Sequence, residues 1–279
     1  MLSLYKVLKF VFRYLVPEAL RYPLARGIAR GVCLVNHRRR DILIRNLTPV
    51  VGAEKARSLA PELLGHFSMT AVDFFCSRRN LARRVHADHW PLVEKAYKRS
   101  KKVMLVTAHI GNWELGISYL VEKGYAVAGV YAPYREDDVV RWIMSHRNTD
   151  VEWIPSTRGA IDACIHTLER GRLLGMVVDI PFGEKGHRVR FGNAWARLPL
   201  GPWAIAARAK ATVIPSFVIR EHPGQYRIDF LEPILPRDGT FRKQIESAQD
   251  VFRRHLEDYL HRYPEQWGVL QPFWDPPSC

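Results

Sequence analysis

The fold is decided by the stretch KVMLVTAHIGNWELGISYLVEK, residues 102–123. Its first seven residues are an apolar run with several β-branched side chains, which predicts a buried strand over 102–108. From Trp113 to Lys123 the apolar positions recur at helical spacing, and Gly124 is a typical stop signal. His109 therefore stands at the carboxyl end of a strand, where open α/β sheets bind their ligands.

His109 and Glu114 stand five positions apart, around the turn between this strand and this helix. Asn112 is placed to cap the helix, and Glu114 falls in its first turn, where free N–H groups and the helix dipole favour an ionised carboxylate. A carboxylate bonded to one imidazole nitrogen fixes the tautomer and leaves the other nitrogen free to accept a proton. We therefore expect His109 to act as a general base on a hydroxyl, with Glu114 orienting it; a purely structural pairing is the alternative.

Three further side chains are candidates for the same site. Arg147 and Arg158 stand near helix ends, and their planar guanidinium groups suit a phosphate or an oxyanion. The alternative for both is a solvated surface arginine. Asp179 follows another predicted strand, so that it could hold His109 or Arg147, or could simply begin a loop.

Strands and helices alternate after residue 100. This alternation predicts an α/β fold, with a central, mostly parallel sheet flanked by helices. The last two strands are joined through Pro223-Gly224 and are expected to form an antiparallel hairpin. Strands are expected at 102–108, 125–132, 151–154, 173–179, 212–219 and 225–231, and helices at 113–123, 137–147, 158–170, 200–210 and 241–262.

The first hundred residues have a helical pattern, with helices expected over 25–46 and 53–76 and a linker near 17–23. We expect one domain over 1–279, in which residues 1–22 form an amphipathic membrane-interface helix, 23–100 a helical region and 101–279 the α/β core. A loop is expected between Gly183 and Gly192.

Positive charge is concentrated at the N-terminal end. The net charge is +14, and residues 1–46 hold ten lysines and arginines against two acidic residues. Leu4, Val7, Leu8 and Val11 recur at helical spacing opposite the basic residues, a pattern that suits the surface of an anionic bilayer. Charges interrupt every window long enough for a membrane span. The alternative is a helix packed on the domain with its lysines in water.

Several other classes of function are disfavoured. Nucleic-acid binding has only the charge in its favour, because the RNA signature, zinc-finger spacing and interleaved aromatic–basic strands are missing. Four scattered cysteines have neither disulfide-framework nor metal-ligand spacing, so no metal site is expected. No second histidine follows His109 at helical spacing, which argues against a zinc protease.

The motif HIGNWE at 109–114 resembles that of the lipid A biosynthesis (late) acyltransferases and of the related phosphatidylinositol mannoside acyltransferases. Further resemblances follow in family order: YAPY at 131–134, Arg147, VDIPFG at 178–183, VRFGNA at 189–194, the helix 201–210, the strand 213–215 and PEQW at 264–267. The chain departs from the family at residues 268–274, where a basic cluster is usual.

The resemblance implies a membrane-associated O-acyltransferase that needs no cofactor. It would move a fatty acyl group from an acyl carrier protein or coenzyme A thioester to a hydroxyl of a lipid A-type precursor, or of another glycolipid or phospholipid. Its expected place is the cytoplasmic face of the bacterial plasma (inner) membrane. Two alternatives remain: a glycerolipid-type lysophospholipid acyltransferase, and a non-catalytic peripheral membrane protein with the same fold.

Overall fold

The computed structural model describes residues 2–76, 82–133, 138–181, 186–235 and 239–275. The strands are β1 (Val85–Asp88), β2 (Val103–Thr107), β3 (Val127–Tyr131), β4 (Val151–Pro155), β5 (Leu173–Val177), β6 (His187–Phe191), β7 (Ala194–Leu198), β8 (Thr212–His222) and β9 (Gln225–Phe230). The helices are α1 (Leu2–Phe10), α2 (Glu18–Val35), α3 (His37–Val51), α4 (Ala53–Cys76), α5 (Trp90–Ser100), α6 (Trp113–Glu122), α7 (Asp138–Met144), α8 (Ala160–Glu169), α9 (Gly201–Ala209) and α10 (Phe241–Arg262).

Seven strands form the central sheet, in the order β1-β9-β8-β2-β5-β3-β4. β8, β2, β5, β3 and β4 are parallel to one another, whereas β9 runs antiparallel to β8, and β1 runs parallel to β9. The predicted α/β fold with a mostly parallel sheet is therefore confirmed, as is the hairpin at Pro223-Gly224. β2 lies between β8 and β5, which places the motif that follows it in the middle of the sheet.

Alternate residues of β2 face two different layers of helices. Met104 and Val106 belong to an apolar core shared with α8, α9 and α10, whereas Val103 and Leu105 belong to a core shared with α5 and α6. Burial on both faces explains why the strand is a continuous apolar run and does not alternate with polar residues.

The N-terminal region differs from expectation in its boundaries. α1 leads into a π-helical turn, and this first helical segment ends before Pro17. α2 then runs without interruption through Pro23. The linker expected over 17–23 is therefore wrong: packing of α2 on α4 outweighs the poor helix propensity of proline. The helix expected over 25–46 is divided at Asn36. Among the described residues, no helix combines the length and apolar character that crossing a membrane would require.

Two β elements were not predicted. β1 is a four-residue edge strand inside the region expected to be helical, and it pairs with β9. The loop expected from 183 to 192 contains β6, which pairs with β7 in an antiparallel hairpin; residues 183–185 lie outside the described ranges. Val189 and Phe191 are buried there and alternate with exposed arginines, which is the period of a half-buried strand.

Candidate functional site

Strand register brings His109 next to Asp179. Thr107 at the end of β2 is paired with Val177 at the end of the neighbouring β5. His109 and Asp179 each follow two residues later, at the carboxyl edge of the sheet. The imidazole Nδ1 of His109 lies 2.7 Å from Oδ1 of Asp179, and the His109 backbone N–H donates to Oδ2 at 2.9 Å. Because a carboxylate can only accept, Nδ1 carries the proton of this hydrogen bond. The lone pair of a neutral imidazole is then on Nε2.

Asp179 is fully buried and ionised. Burial by itself raises the pKa of this carboxyl group, but the charge of His109 and the hydrogen bonds from His109 and Trp267 outweigh burial and hold the pKa below its usual value. The indole N–H of Trp267 donates to Oδ2 at 3.2 Å. Because Asp179 occupies Nδ1, it is Asp179 and not Glu114 that orients the imidazole in this structure, which corrects the expectation from the motif.

Glu114 pairs with Arg147. The two side chains form an ion pair and are largely buried, with 19% and 15% of their side-chain surfaces exposed. The Arg147 guanidinium also stacks on the indole of Trp153, 4.2 Å from the ring centroid. The Trp153 ring in turn packs closely against Gly129, where a Cβ atom would lie 2.5 Å from Cζ3 of the indole. Trp153 therefore fixes the position from which Arg147 reaches Glu114.

Asn112 belongs to a buried polar cluster. It stands at the N-cap position of α6, and its side chain was expected to cap the helix. The side chain instead donates to Asp73 Oδ2 at 3.1 Å and makes no capping hydrogen bond. Asp73 also accepts from Tyr22, Tyr226 and, at 3.0 Å, the Arg220 guanidinium. Burial raises the pKa of Tyr226, the charge of Arg220 lowers it and the charge of Asp73 raises it. The resulting pKa is about 12, so the phenol keeps its proton.

The turn between His109 and α6 is clamped by its backbone. Gly111 has φ +63°, and its N–H donates to the carbonyl of Gln266 at 2.9 Å. The N–H of Asn112 donates to the carbonyl of Val218 at 3.0 Å, and the N–H of Gly268 donates to the carbonyl of His109 at 2.6 Å. The segment from Pro264 to Gly268 thus holds the motif against the sheet.

His109, Glu114 and Arg147 open into a cleft of about 1310 Å³, counted out to its solvent-filled mouth. Its walls are largely apolar and come mainly from α4 and α7: Phe67, Ala71, Phe74, Phe75, Val140, Ile143 and Met144. A narrower apolar slot lies between α6 and the sheet and shares Trp113, Glu114 and Arg147 with the cleft. The Glu114–Arg147 pair is therefore part of the boundary between the cleft and the slot.

Arg158 is not brought to this site. It lies in the exposed turn before α8, beyond β4, which is the edge strand opposite β1. β4 is three strands from β2, a separation of roughly 14 Å at the usual strand spacing. Within the described ranges, no group of His, Cys, Asp and Glu side chains is arranged to hold a metal ion.

Asp73, Arg220 and Trp267 were missed by sequence reasoning. Asp73 lies in the apolar run MTAVDFF and Arg220 in the apolar strand VIPSFVIR, and a single charge inside such a run is a usable signal of a buried partner. Trp267 is the last residue of the PEQW segment at 264–267. Nothing in its spacing reveals that it donates to Asp179.

A histidine held by a buried carboxylate at the edge of a parallel sheet, beside a large apolar cleft, has the geometry that base chemistry on an amphiphilic molecule requires. Residues 2–275 match the family model of the bacterial lipid A biosynthesis acyltransferases. The chain belongs to this family.

The chain is also similar to phosphatidylinositol mannoside acyltransferase from two strains of Mycobacterium tuberculosis, CDC 1551 / Oshkosh and ATCC 25618 / H37Rv. In both cases 20% of 207 aligned residues are identical, and the alignment covers 71% of this chain and 63% of the relative. The chain thus aligns with slightly less than two thirds of the length of these relatives. Both the family and the relatives are named for acyl transfer.

Proposed function

We propose that this protein is an O-acyltransferase that moves a fatty acyl group from a thioester to a hydroxyl of a lipid or glycolipid. The observation that carries the proposal is the His109–Asp179 pair at the apolar cleft, with Nδ1 and Oδ1 2.7 Å apart. Because Asp179 accepts at Nδ1, Nε2 is the nitrogen left to take a proton from a substrate. Family membership supports the same reaction.

The reaction needs one proton carrier and no cofactor. His109 Nε2 removes the proton of the acceptor hydroxyl while the hydroxyl oxygen attacks the thioester carbonyl carbon. The tetrahedral intermediate collapses with cleavage of the C–S bond, and the imidazolium returns the proton to the leaving thiolate. Asp179 stabilises the imidazolium between the two transfers, as a buried carboxylate does in other His–carboxylate pairs.

Glu114 and Arg147 act on substrate position in this proposal. Arg147 holds the Glu114 carboxylate at the wall of the cleft that His109 shares, and its guanidinium lines the same cleft, where it is available to a phosphate or a developing oxyanion. The apolar side chains of α4 and α7 would take the acyl chain. Arg158 lies outside this arrangement and has no role in it.

The donor and the acceptor are proposed by class. The donor is an acyl carrier protein or coenzyme A thioester, both of which are anionic and suit a chain of net charge +14. The acceptor is a lipid A-type precursor or another glycolipid or phospholipid, in keeping with the names of the family and of the relatives. The proposed location is the cytoplasmic face of the bacterial plasma (inner) membrane, with anionic lipids as partners.

Acyl transfer from radiolabelled acyl thioester to a membrane lipid extract tests the proposal. Separate arms use acyl carrier protein and coenzyme A donors, and mass spectrometry identifies the acylated product. We expect His109→Ala to abolish transfer and Asp179→Asn to lower kcat by about 10⁴-fold, the loss found when the carboxylate of a comparable pair is replaced.

His86→Ala is the matched control, because that histidine lies on the edge strand β1 with 74% of its side chain exposed. It should leave the rate unchanged. A full rate in His109→Ala would remove this histidine from the mechanism. If folded wild-type protein made no product with either donor, the alternative of a non-catalytic membrane protein would replace the proposal.

A further inference from the structure

α2 has an apolar face that none of the described residues covers. Leu20, Leu24, Ile28 and Val32 recur every four residues on this face and are exposed, Leu20 to 56%. Gly27 and Gly31 lie on the same side, and no heavy atom comes within 4 Å of the point where either would carry a Cβ. We call these six residues, together with Val35, the α2 face.

The opposite side of α2 is firmly packed. Ala25, Ala29 and Cys33 are buried, the last two in the core shared with α3 and α4. On one flank, Arg26 and Arg30 both pair with Glu62 of α4. These contacts fix the rotation of the helix, so the exposure of the α2 face is a stable property of the fold.

Cations follow the α2 face at its C-terminal end, and the exposed Glu18–Arg84 pair lies at its N-terminal end. The face runs from Leu20 to Val35, about 24 Å at the helical rise, and continues into the exposed Arg38 and Arg39. Earlier in the chain, α1 also exposes apolar and basic side chains, among them Leu4, Val7 and Lys6. A partner must therefore be apolar along the α2 face and anionic where it meets Arg38 and Arg39. A bilayer of anionic lipids has this profile, with acyl chains below a layer of phosphates.

We propose that the α2 face inserts into the interfacial layer of an anionic bilayer, so that α2 lies along the membrane plane and α1 makes a second contact. This inference deepens the proposed function, since it names the surface through which the acyltransferase would reach its lipid. It extends the membrane contact well beyond residues 1–22. A second copy of this chain is the occupant that the test below distinguishes from a bilayer; a parallel pairing of two such faces would bring Arg38 and Arg39 of both copies together.

Vesicle sedimentation tests this surface. The variant combines Leu24→Gln, Ile28→Gln and Val32→Gln, and its control combines Ile161→Gln, Leu235→Gln and Phe241→Gln, which are exposed apolar residues elsewhere. Vesicles contain phosphatidylcholine with or without phosphatidylglycerol. We expect the α2 variant to bind both kinds on the order of 100-fold more weakly than wild type, since three aliphatic side chains no longer leave water. The control should change binding less than twofold.

Wild-type binding by the α2 variant would overturn the inference. So would a wild-type dimer that the three substitutions disrupt without weakening vesicle binding, because the face would then belong to a second copy. The single variant Ile28→Glu gives an independent measure should the triple variant fail to fold.

Turnover with donor and acceptor dispersed in detergent separates this inference from the proposed function. We expect the α2 variant to keep the wild-type rate in detergent. If neither protein turned over, the acyltransferase proposal would fail, whereas loss of vesicle binding would still assign the α2 face to the membrane.

Discussion

Gly111 shows how closely the backbone is packed around the motif. Its φ of +63° is a conformation that glycine adopts without strain. A Cβ atom at this position would lie only 1.7 Å from the carbonyl oxygen of Val218, an overlap that must move β8 or the motif. The glycine is required by contact as well as by φ.

Gly111→Ala should therefore destabilise the protein by at least about 3 kcal/mol and abolish acyl transfer. Gly124→Ala is its matched control, because Gly124 also has a positive φ (+83°) but no atom within 4 Å of its Cβ position. The control should lose only about 1 kcal/mol, the usual backbone strain. Urea unfolding of both variants measures the difference, and equal losses would contradict the steric argument.

His66 makes stability depend on pH. Burial, followed by the charge of Arg220, lowers the pKa of this imidazole from 6.5 to about 4. As pH falls through this window the unfolded chain takes up a proton that the folded protein does not, so stability is lost. Between pH 6.5 and 4 the free energy of unfolding of the wild type should fall by up to about 2 kcal/mol more than that of His66→Gln.

Urea midpoints at pH 7, 6, 5 and 4 measure this effect. The control is His86→Gln, whose side chain is mostly exposed on the edge strand. It should follow the wild-type curve. Parallel curves for wild type and His66→Gln would show that His66 does not cause the acid sensitivity.

Among the elements, α7 packs against α1 as well as α4, because the ring centroids of Tyr5 and Trp142 lie 6.4 Å apart. Within the described ranges it has no buried residue, although it supplies one wall of the cleft. Trp142 stacks on Phe75 of α4 at 4.7 Å, and Arg147 just beyond the helix is tied to Glu114. The Glu114–Arg147 pair therefore anchors a wall of the cleft as well as standing beside His109.

Glu114→Gln should loosen α7. A neutral amide holds the guanidinium less strongly than a carboxylate does, so amide hydrogens of 138–144 should exchange about tenfold faster. Glu122 lies, like Glu114, in α6, at the exposed far end of that helix. Glu122→Gln is therefore the control and should leave the exchange of α7 unchanged. Equal exchange in both variants would show that α7 is held by its aromatic contacts alone.

Elements differ in how far the sequence predicted them. The central strands and α6 were predicted because burial on both faces leaves a long apolar signal, as in β2. β1 and the β6–β7 hairpin were missed because their pairing partners are distant in sequence or their alternation is short. His109 and Asp179 were both placed at strand ends, but their contact depends on β2 being next to β5. Strand order of this kind is set by packing of the whole sheet, and local sequence does not reveal it.

For the whole molecule, Asp73 and Arg220 join the helical region to the sheet. Both are almost fully buried, and Arg220 also donates to Thr70 and to the carbonyl of His66. Together with Tyr22 they connect α2, α4 and β8. Burial alone would lower the pKa of Arg220, but Tyr226 and Asp73 raise it above its ordinary value, so the guanidinium stays charged.

Arg220→Met should destabilise the protein by about 3–5 kcal/mol, because Asp73 is left buried without its cation. Adding Asp73→Asn should recover part of this loss, and urea unfolding of the single and double variants measures the coupling. Arg262→Met removes an exposed pair with Asp258 and should cost less than about 1 kcal/mol. Strict additivity of the Asp73 and Arg220 substitutions would show that the two side chains do not depend on each other.

The clamp of residues 264–268 on the motif also has a consequence for synthesis. Trp267 reaches Asp179 from 88 residues downstream, and Gln266 and Gly268 bond the backbone on either side of Ile110. A growing polypeptide thus contains both members of the histidine–aspartate pair long before it contains the segment that secures them. While the ribosome is still translating, α1 and α2 have already emerged. Under the proposed function, the α2 face would therefore be available to a bilayer before the histidine–aspartate pair is secured.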